Sequence, residues 1–248
     1  MDSPVEIDVL ITSRNCQPWI QRCIDSVTSQ EHQPRTVFLV DDATPDREYL
    51  DRLIDITVPL ANFALLLNNT RQGKGKNLWD GIQIIDTPPE GVIFILDGDD
   101  FLPPGALKRI AEVYADPEVW LTYGNYEPYP HNTGQTKASA YPPEILTARS
   151  FRAERMVKFN HPLTFRRHLW DHLEPADLQD DHGKWFLVGS DFVIMMPLLE
   201  MAAPTHLRFL DETLYRYNAV NPLSDVFTEL PAVEESRVIL NRPKKAAL

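Results

Sequence analysis

The 248-residue chain is 43% hydrophobic and 24% charged and carries no long low-complexity tract, which excludes a disordered polymer and fits one large globular domain. Its formal charge of −12 excludes generic nucleic-acid binding through phosphates, which needs a basic footprint. No basic region precedes an apolar run at the N-terminus and nowhere do 18 apolar residues stand together, so neither a secretory signal nor an integral membrane segment is expected.

In chain order, Ile7 to Thr12 reads as a strand that ends in polar Ser13-Arg14-Asn15. The stretch Trp19 to Gln30 places Ile20, Cys23, Ile24 and Val27 on one helical face. Cys16 and Cys23 read as two turns apart on that helix, about 10 Å, too far for a disulfide, and two thiols alone make a poor zinc site. They are expected to be reduced core residues of a cytoplasmic protein. Thr36 to Val40 predicts a second strand, ending in Asp41-Asp42-Ala43-Thr44, and Phe63 to Leu67 a third. Asn68-Asn69-Thr70 matches a glycosylation acceptor formally, and without a secretory signal the match is read as accidental. After Gly73-Lys74-Gly75, a helix from Lys76 to Ile85 carries Leu78, Ile82 and Ile85 on one face. Val92 to Leu96 is a fourth strand, running into Asp97-Gly98-Asp99-Asp100. Pro103-Pro104-Gly105 opens a helix bearing Leu107, Ile110, Ala111 and Tyr114, and Val119 to Tyr123 is a fifth strand.

From Asn125 to Ser150 the sequence turns rich in Tyr, Pro, Asn, Thr and Gly with no clear period, and reads as a long loop able to act as a lid. A strand from Leu163 to Arg166, a helix from Ser190 to Ala202, a strand pair around Leu207 to Tyr217 and a frayed tail from Arg242 complete the chain. The basic clusters Arg71, Lys74 and Lys76, then Arg149, Arg152, Arg155 and Lys158, then Arg166, Arg167 and His168 read as solvated faces. Short apolar runs alternating with amphipathic stretches predict βαβ units, an α/β fold with a mixed, mainly parallel sheet flanked by helices. Ligands of such a sheet bind beyond the carboxyl ends of its strands, where three of the four apolar runs end in polar residues.

Three carboxylates within four residues repel one another unless a cation or donor sits among them, and the natural partner of Asp97, Asp99 and Asp100 is Mn²⁺ or Mg²⁺ bridging to a diphosphate. The other reading is an acidic turn or a helix-capping Asp ahead of Pro103.

Four segments in order resemble glycosyltransferase family 2, whose nucleotide-sugar-binding half has the GT-A fold. They are Val9-Leu-Ile-Thr-Ser-Arg-Asn15, Val40-Asp-Asp-Ala-Thr44, Gly73-Lys-Gly-Lys-Asn77 and Phe94-Ile-Leu-Asp-Gly-Asp-Asp-Phe-Leu-Pro-Pro104. The second half resembles the family in Pro162-Leu-Thr-Phe-Arg-Arg167, in Gly189-Ser-Asp-Phe192 and in Leu214-Tyr-Arg-Tyr-Asn218. The resemblance implies residues 1–124 as a nucleotide-sugar-binding half and 125–248 as an acceptor-binding half with a C-terminal elaboration. It implies donor contacts from Thr12, Arg14, Asp42, Lys76, Asp97 and Asp99, with Thr12 and Asp42 at the base, Lys76 at a phosphate or ribose, Asp97 at the ribose or the metal, and Asp99 on the metal. Asp191 takes the position of the catalytic base, and His161 and Asp100 are acceptor-side candidates. Residue-level alternatives remain: an Asx turn for Asp42, a surface lysine for Lys76, a helix N-cap for Asp191 and a structural role for His161. Ser190 stands where the family has Glu, and Asn221-Pro-Leu-Ser224 replaces a histidine often found after the closing strand, which leaves the third metal ligand open.

The implied activity is metal-dependent, inverting transfer of a sugar from a nucleoside-diphosphate sugar, UDP favoured, to an acceptor hydroxyl. Two rival readings differ in class. Nucleotidyl transfer would use Gly73-Lys-Gly-Lys76 as a phosphate loop, although such loops belong after the first strand. A nucleotide-sugar-binding protein without activity would account for the missing Glu and histidine.

Overall fold

A computed structural model describes residues 4–130, 138–153, 158–187, 190–222 and 237–248. Seven strands, β1 (Ile7–Ser13), β2 (Thr36–Asp41), β3 (Phe63–Leu67), β4 (Val92–Asp97), β5 (Leu121–Tyr129), β6 (Leu163–Arg166) and β7 (Leu207–Asn218), form one sheet in the order β3-β2-β1-β4-β6-β5-β7. β3, β2, β1 and β4 are mutually parallel, β6 is antiparallel to β4 and β5, and β5 pairs parallel with β7. The helices include α1 (Ile20–Thr28), α2 (Arg47–Thr57), α3 (Lys74–Ile85), α4 (Ala106–Tyr114), α5 (Pro143–Ala148), α6 (Arg167–Trp170) and α7 (Ser190–Ala202), with 3₁₀ turns at Phe151–Ala153 and Pro175–Leu178, and residues 237–241 are helical as well.

β1, β2 and β4 read as near-continuous apolar runs because both of their faces are covered. Successive side chains alternate between two cores. Leu10, Ile93 and Ile95 join Leu78 and Ile82 of α3 and Val193 and Met196 of α7 on one face. Ile7, Val9, Ile11, Phe94 and Leu96 join Ile20 and Ile24 of α1 and Leu107 and Ile110 of α4 on the other. Each such side chain, removed from water, contributes about 1.5–3 kcal/mol before entropy. α3 lies directly on β1, because a Cβ added to Gly81 would meet Leu10 Cδ1 at 2.7 Å.

Several expectations change. Cys16 is not on the helix with Cys23. It sits in the turn ahead of α1, where Asn15 has a positive φ of 54° that breaks any helix, and both thiols are free and buried. α4 starts at Ala106 after Gly105 at φ 80°, so the two prolines precede the helix. The segment from Asn125 is not wholly loop, since β5 continues to Tyr129 and α5 follows; residues 131–137 lie outside the described residues. Its polar composition hid the strand because this part of β5 pairs with β7 far from the apolar centre, with an ion pair between Glu127 and Arg216. β7 is one 12-residue strand rather than a pair, and a register shift carries it past Asp211 and Glu212.

The basic clusters are not simply solvated faces either. Arg166, 5% exposed, donates to the carbonyls of Val119, Glu90, Tyr114 and Asp116. Arg152 pairs with Glu200, whose side chain is fully buried, and donates to the carbonyls of Ile239 and Arg242; Arg155 lies outside the described residues. The tail is therefore docked, with Lys245 N–H donating to Glu200 at 2.9 Å and Leu248 N–H to Met201 O at 3.1 Å. Among the described residues no helix is long and apolar enough to cross a membrane.

Arg152→Leu leaves Glu200 as a buried carboxylate without its cation. A loss of about 3–5 kcal/mol in urea unfolding is expected, against a small change for the exposed Lys108→Leu.

Candidate active site

The carboxyl ends of β1, β2 and β4 lie side by side, and the polar residues that end them are stitched together. Asn15 N–H donates to Thr44 Oγ1 at 2.9 Å, and Thr44 donates to Asp41, which is fully buried and whose pKa burial pushes up. Arg14 donates to the carbonyls of Asp42 and Ala43, and Ala43 has φ 58°. A left-handed conformation with a Cβ costs about 1 kcal/mol, which these two bonds offset.

Asp42 is 5% exposed, and its carboxylate accepts Gln72 N–H at 2.7 Å and Gly73 N–H at 3.0 Å. The next two N–H groups, of Lys74 and Gly75, donate to Leu187 O and Phe186 O. A Cβ at Gly73 or Gly75 would meet Phe186 O at 3.0 Å, so glycine is needed for this close approach and, at Gly73, for φ 88°. A phosphate loop works by offering N–H groups to its ligand, and four successive ones here are already engaged.

The lysine this turn delivers is Lys74, not Lys76. Lys74 Nζ lies 2.7 Å from Asp97 Oδ1 and 3.1 Å from Asp191 Oδ1, with its side chain 18% exposed. Lys76 instead pairs with Asp80 one turn on and lies over the Trp185 ring at 5.5 Å. Thr12 donates to Asp97 at 3.2 Å. His161, 7% exposed, approaches Asp191 Oδ2 with Nε2 at 3.4 Å and stacks on Tyr215 at 4.3 Å between centroids; its buried Nδ1 has no hydrogen-bond partner among the described residues. Ligand atoms of Asp97, His161 and Asp191 lie within 4.8 Å of one another. Carboxylate oxygen and imidazole nitrogen suit a divalent ion such as Mn²⁺.

The other two carboxylates are held differently. Asp99 accepts the Asn221 amide at 2.6 Å, and burial followed by the charge of Asp97 raises its pKa. Asp100 is 1% exposed and faces inward rather than toward an acceptor, because Tyr215 O–H and Asn218 N–H donate to its two oxygens at 2.6 Å each. Burial, then the charges of Asp99 and Asp97, push Asp100 well above the carboxylate range. Tyr215 also accepts Asp97 N–H at 3.3 Å, so one hydroxyl ties β7 to the end of β4. Sequence reasoning missed Lys74 and Tyr215 as site residues, although both lie in segments it singled out.

Asp191 opens α7, a place that favours negative charge. Burial opposes its ionised form, but the Lys74 ammonium and then His161 outweigh it and hold the carboxyl below the usual range. Burial likewise opposes the Lys74 charge, and Asp191 and Asp97 outweigh that, raising the ammonium above its ordinary value.

The family model described as Glycosyl transferase family 2 matches residues 8–173. The chain is 24% identical over 240 residues to the uncharacterized glycosyltransferase EpsJ of Bacillus subtilis, covering 91% of this chain and 63% of that protein. It is 30% identical over 117 residues to an uncharacterized protein of Mycobacterium tuberculosis, covering 47% of this chain and 35% of that one. It therefore spans less than two thirds of the length of either relative. S. aureus TarS superposes with TM-score 0.63 at 18% identity over 97% of this chain and 41% of TarS. TarS 1–349 in complex with UDP gives TM-score 0.63 at 15% identity over 96% of this chain and 71% of that one, which makes the fold common to both.

The Asp191 shift has a consequence for acid stability. A carboxylate depressed in the folded state contributes stability above its unfolded pKa of about 3.9, and that contribution disappears as pH falls through the lower folded value. Urea unfolding of wild type and Asp191→Asn should therefore differ by a constant amount above about pH 5 and converge below about pH 4. A difference unchanged down to pH 2 would contradict the ion pair.

Proposed function

Because the chain belongs to glycosyltransferase family 2, we propose that it transfers a sugar from a nucleoside-diphosphate sugar to an acceptor hydroxyl with inversion, using a divalent metal. The observation that carries this reading is the convergence of Asp97 and Asp191, from opposite halves of the sequence, on the single ammonium of Lys74. In the proposed division of labour, residues 1–124 bind the donor and 125–248 present the acceptor. UDP is the favoured nucleotide, since structures of TarS 1–349 hold UDP and UDP-GlcNAc. The two free buried thiols and the reliance on nucleotide sugars favour a cytoplasmic site of action.

In this mechanism Asp191 accepts the proton of the acceptor hydroxyl while that oxygen bonds to the anomeric carbon, on the face opposite the breaking bond to the diphosphate. Asp97 and Asp99 would hold Mn²⁺ or Mg²⁺, which supplies positive charge to the departing diphosphate. Lys74 stands beside Asp97 and adds its own positive charge on the leaving-group side. Thr12, at the β1 end, orients Asp97. His161, packed on Tyr215, fixes the second oxygen of Asp191 and leaves the first to the ammonium. Arg14 and Asp42 act from one step back, by shaping the turns that frame the base-binding side. The engaged N–H groups of residues 72–75 weigh against nucleotidyl transfer through a glycine-rich phosphate loop.

Calorimetry with a panel of nucleoside diphosphates, with and without Mn²⁺, tests the donor half. One nucleotide, UDP, should bind in a metal-dependent way, and Asp99→Ala should abolish that dependence. Asp191→Asn should keep donor affinity within about threefold and lower transfer by about 10²–10⁴-fold. Equal turnover by Asp191→Asn would remove it as the base, and failure of every nucleotide to bind would end the transferase reading.

A further inference from the structure

Lys74 occupies the position a metal ion would contest. Its Nζ touches two members of the Asp97, His161 and Asp191 group, at 2.7 Å and 3.1 Å, and it is held there by the fold. The residue begins α3 directly after Gly73, its N–H is bound to Leu187 O, and its side chain is 18% exposed. A carboxylate oxygen engaged by an ammonium is not a free ligand, and a divalent ion brought beside that ammonium is repelled by it.

We propose that Lys74 is the counter-cation of Asp97 and Asp191 in the absence of donor, and that it makes divalent-metal binding conditional on the nucleoside diphosphate. This rests on the transferase reading above. A diphosphate brings negative charge and several acceptor oxygens, and lysine is a mobile point charge on a flexible stem, able to turn from carboxylate to phosphate. Asp97, once left, becomes available to the metal it would share with Asp99, and Asp191 is freed to take the acceptor proton. Donor and metal thereby assist one another through one side chain, and the coupling is reciprocal: UDP raises Mn²⁺ affinity by the same factor as Mn²⁺ raises UDP affinity. Lys76 has no part in this, since it is paired with Asp80.

The test is Mn²⁺ titration by calorimetry, with and without UDP, of the full chain as wild type, Lys74→Met and Lys74→Arg. Without UDP, Lys74→Met should bind Mn²⁺ at least about tenfold more tightly than wild type, and Lys74→Arg should stay within about threefold of wild type. The factor by which UDP strengthens Mn²⁺ binding should fall at least about tenfold in Lys74→Met. Thermal melts of each protein across the Mn²⁺ series verify folding, with Lys74→Ala as a replacement if Lys74→Met does not fold, and Mn²⁺ should raise the Tm of the neutral variant more than that of wild type. Equal donor-free Mn²⁺ affinity in wild type and the neutral variant would overturn the proposal. Failure of UDP, and of every other nucleoside diphosphate in the panel, to bind any of the three proteins would instead overturn the transferase reading, because the donor-free comparison stands without it.

Discussion

The end of β4 sets the terms for the rest of the molecule. Asp97, Asp99 and Asp100 fall within four residues, and like charges this close cannot all remain ionised in a partly buried place without partners. Each is answered by a different distant part of the chain: Asp97 by Lys74, Asp99 by Asn221, Asp100 by Tyr215 and the Asn218 N–H. The first partner fixes the start of α3, and the others fix the end of β7 and the residues just beyond it. Like-charge crowding on one turn is thus a reason for the second half of the chain to close over the first. Ion pairs of this kind are poor sources of stability, since desolvation offsets much of the attraction, so their presence at strand ends speaks for function.

A second line of contacts runs from the end of β2 to the start of α7. Asp42 holds the N–H groups of Gln72 and Gly73, the next two N–H groups hold the carbonyls of Leu187 and Phe186, and Lys74 reaches Asp191 from the same turn. The proposed donor side and the proposed base side are in this way joined by a few backbone contacts. Gly73 and Gly75 serve that junction by letting two backbone segments touch, which is a different use of glycine from cradling a phosphate.

Much of this was legible in the sequence, and what was not has physical causes. The four parallel strands and their carboxyl-end polar residues follow from apolar runs buried on both faces, a pattern that depends on local sequence alone. The choice between Lys74 and Lys76 was also readable. Residues 74, 78, 82 and 85 recur at helical spacing, so Lys74 shares the inward face of Leu78, Ile82 and Ile85, whereas Lys76 is about 200° around the helix and meets Asp80 one turn on. The resemblance to the family pointed to Lys76 for a phosphate or ribose contact and did not single out Lys74, because it follows motif position and not helical phase. The docked tail was beyond reach, because Arg152 and Glu200 are 48 positions apart and nothing local announces that two charges neutralise one another. Asp100 was unreadable for the same reason: its inward orientation depends on Tyr215, 115 positions away.

On the proposed function, a chain of net charge −12 takes a diphosphate against its own long-range field, which repels the ligand rather than steering it in. Lys74 is the basic side chain placed directly on both Asp97 and Asp191, where it offsets only part of the local negative charge. Facing the carboxylates of Asp97, Asp99 and Asp191, that ammonium leaves the site negative even before a donor arrives. Adding a diphosphate without a further cation would set like charges against one another at short range, where they are least screened. For the proposed nucleoside-diphosphate donor, the charge arithmetic of the site therefore favours a divalent ion that arrives with it.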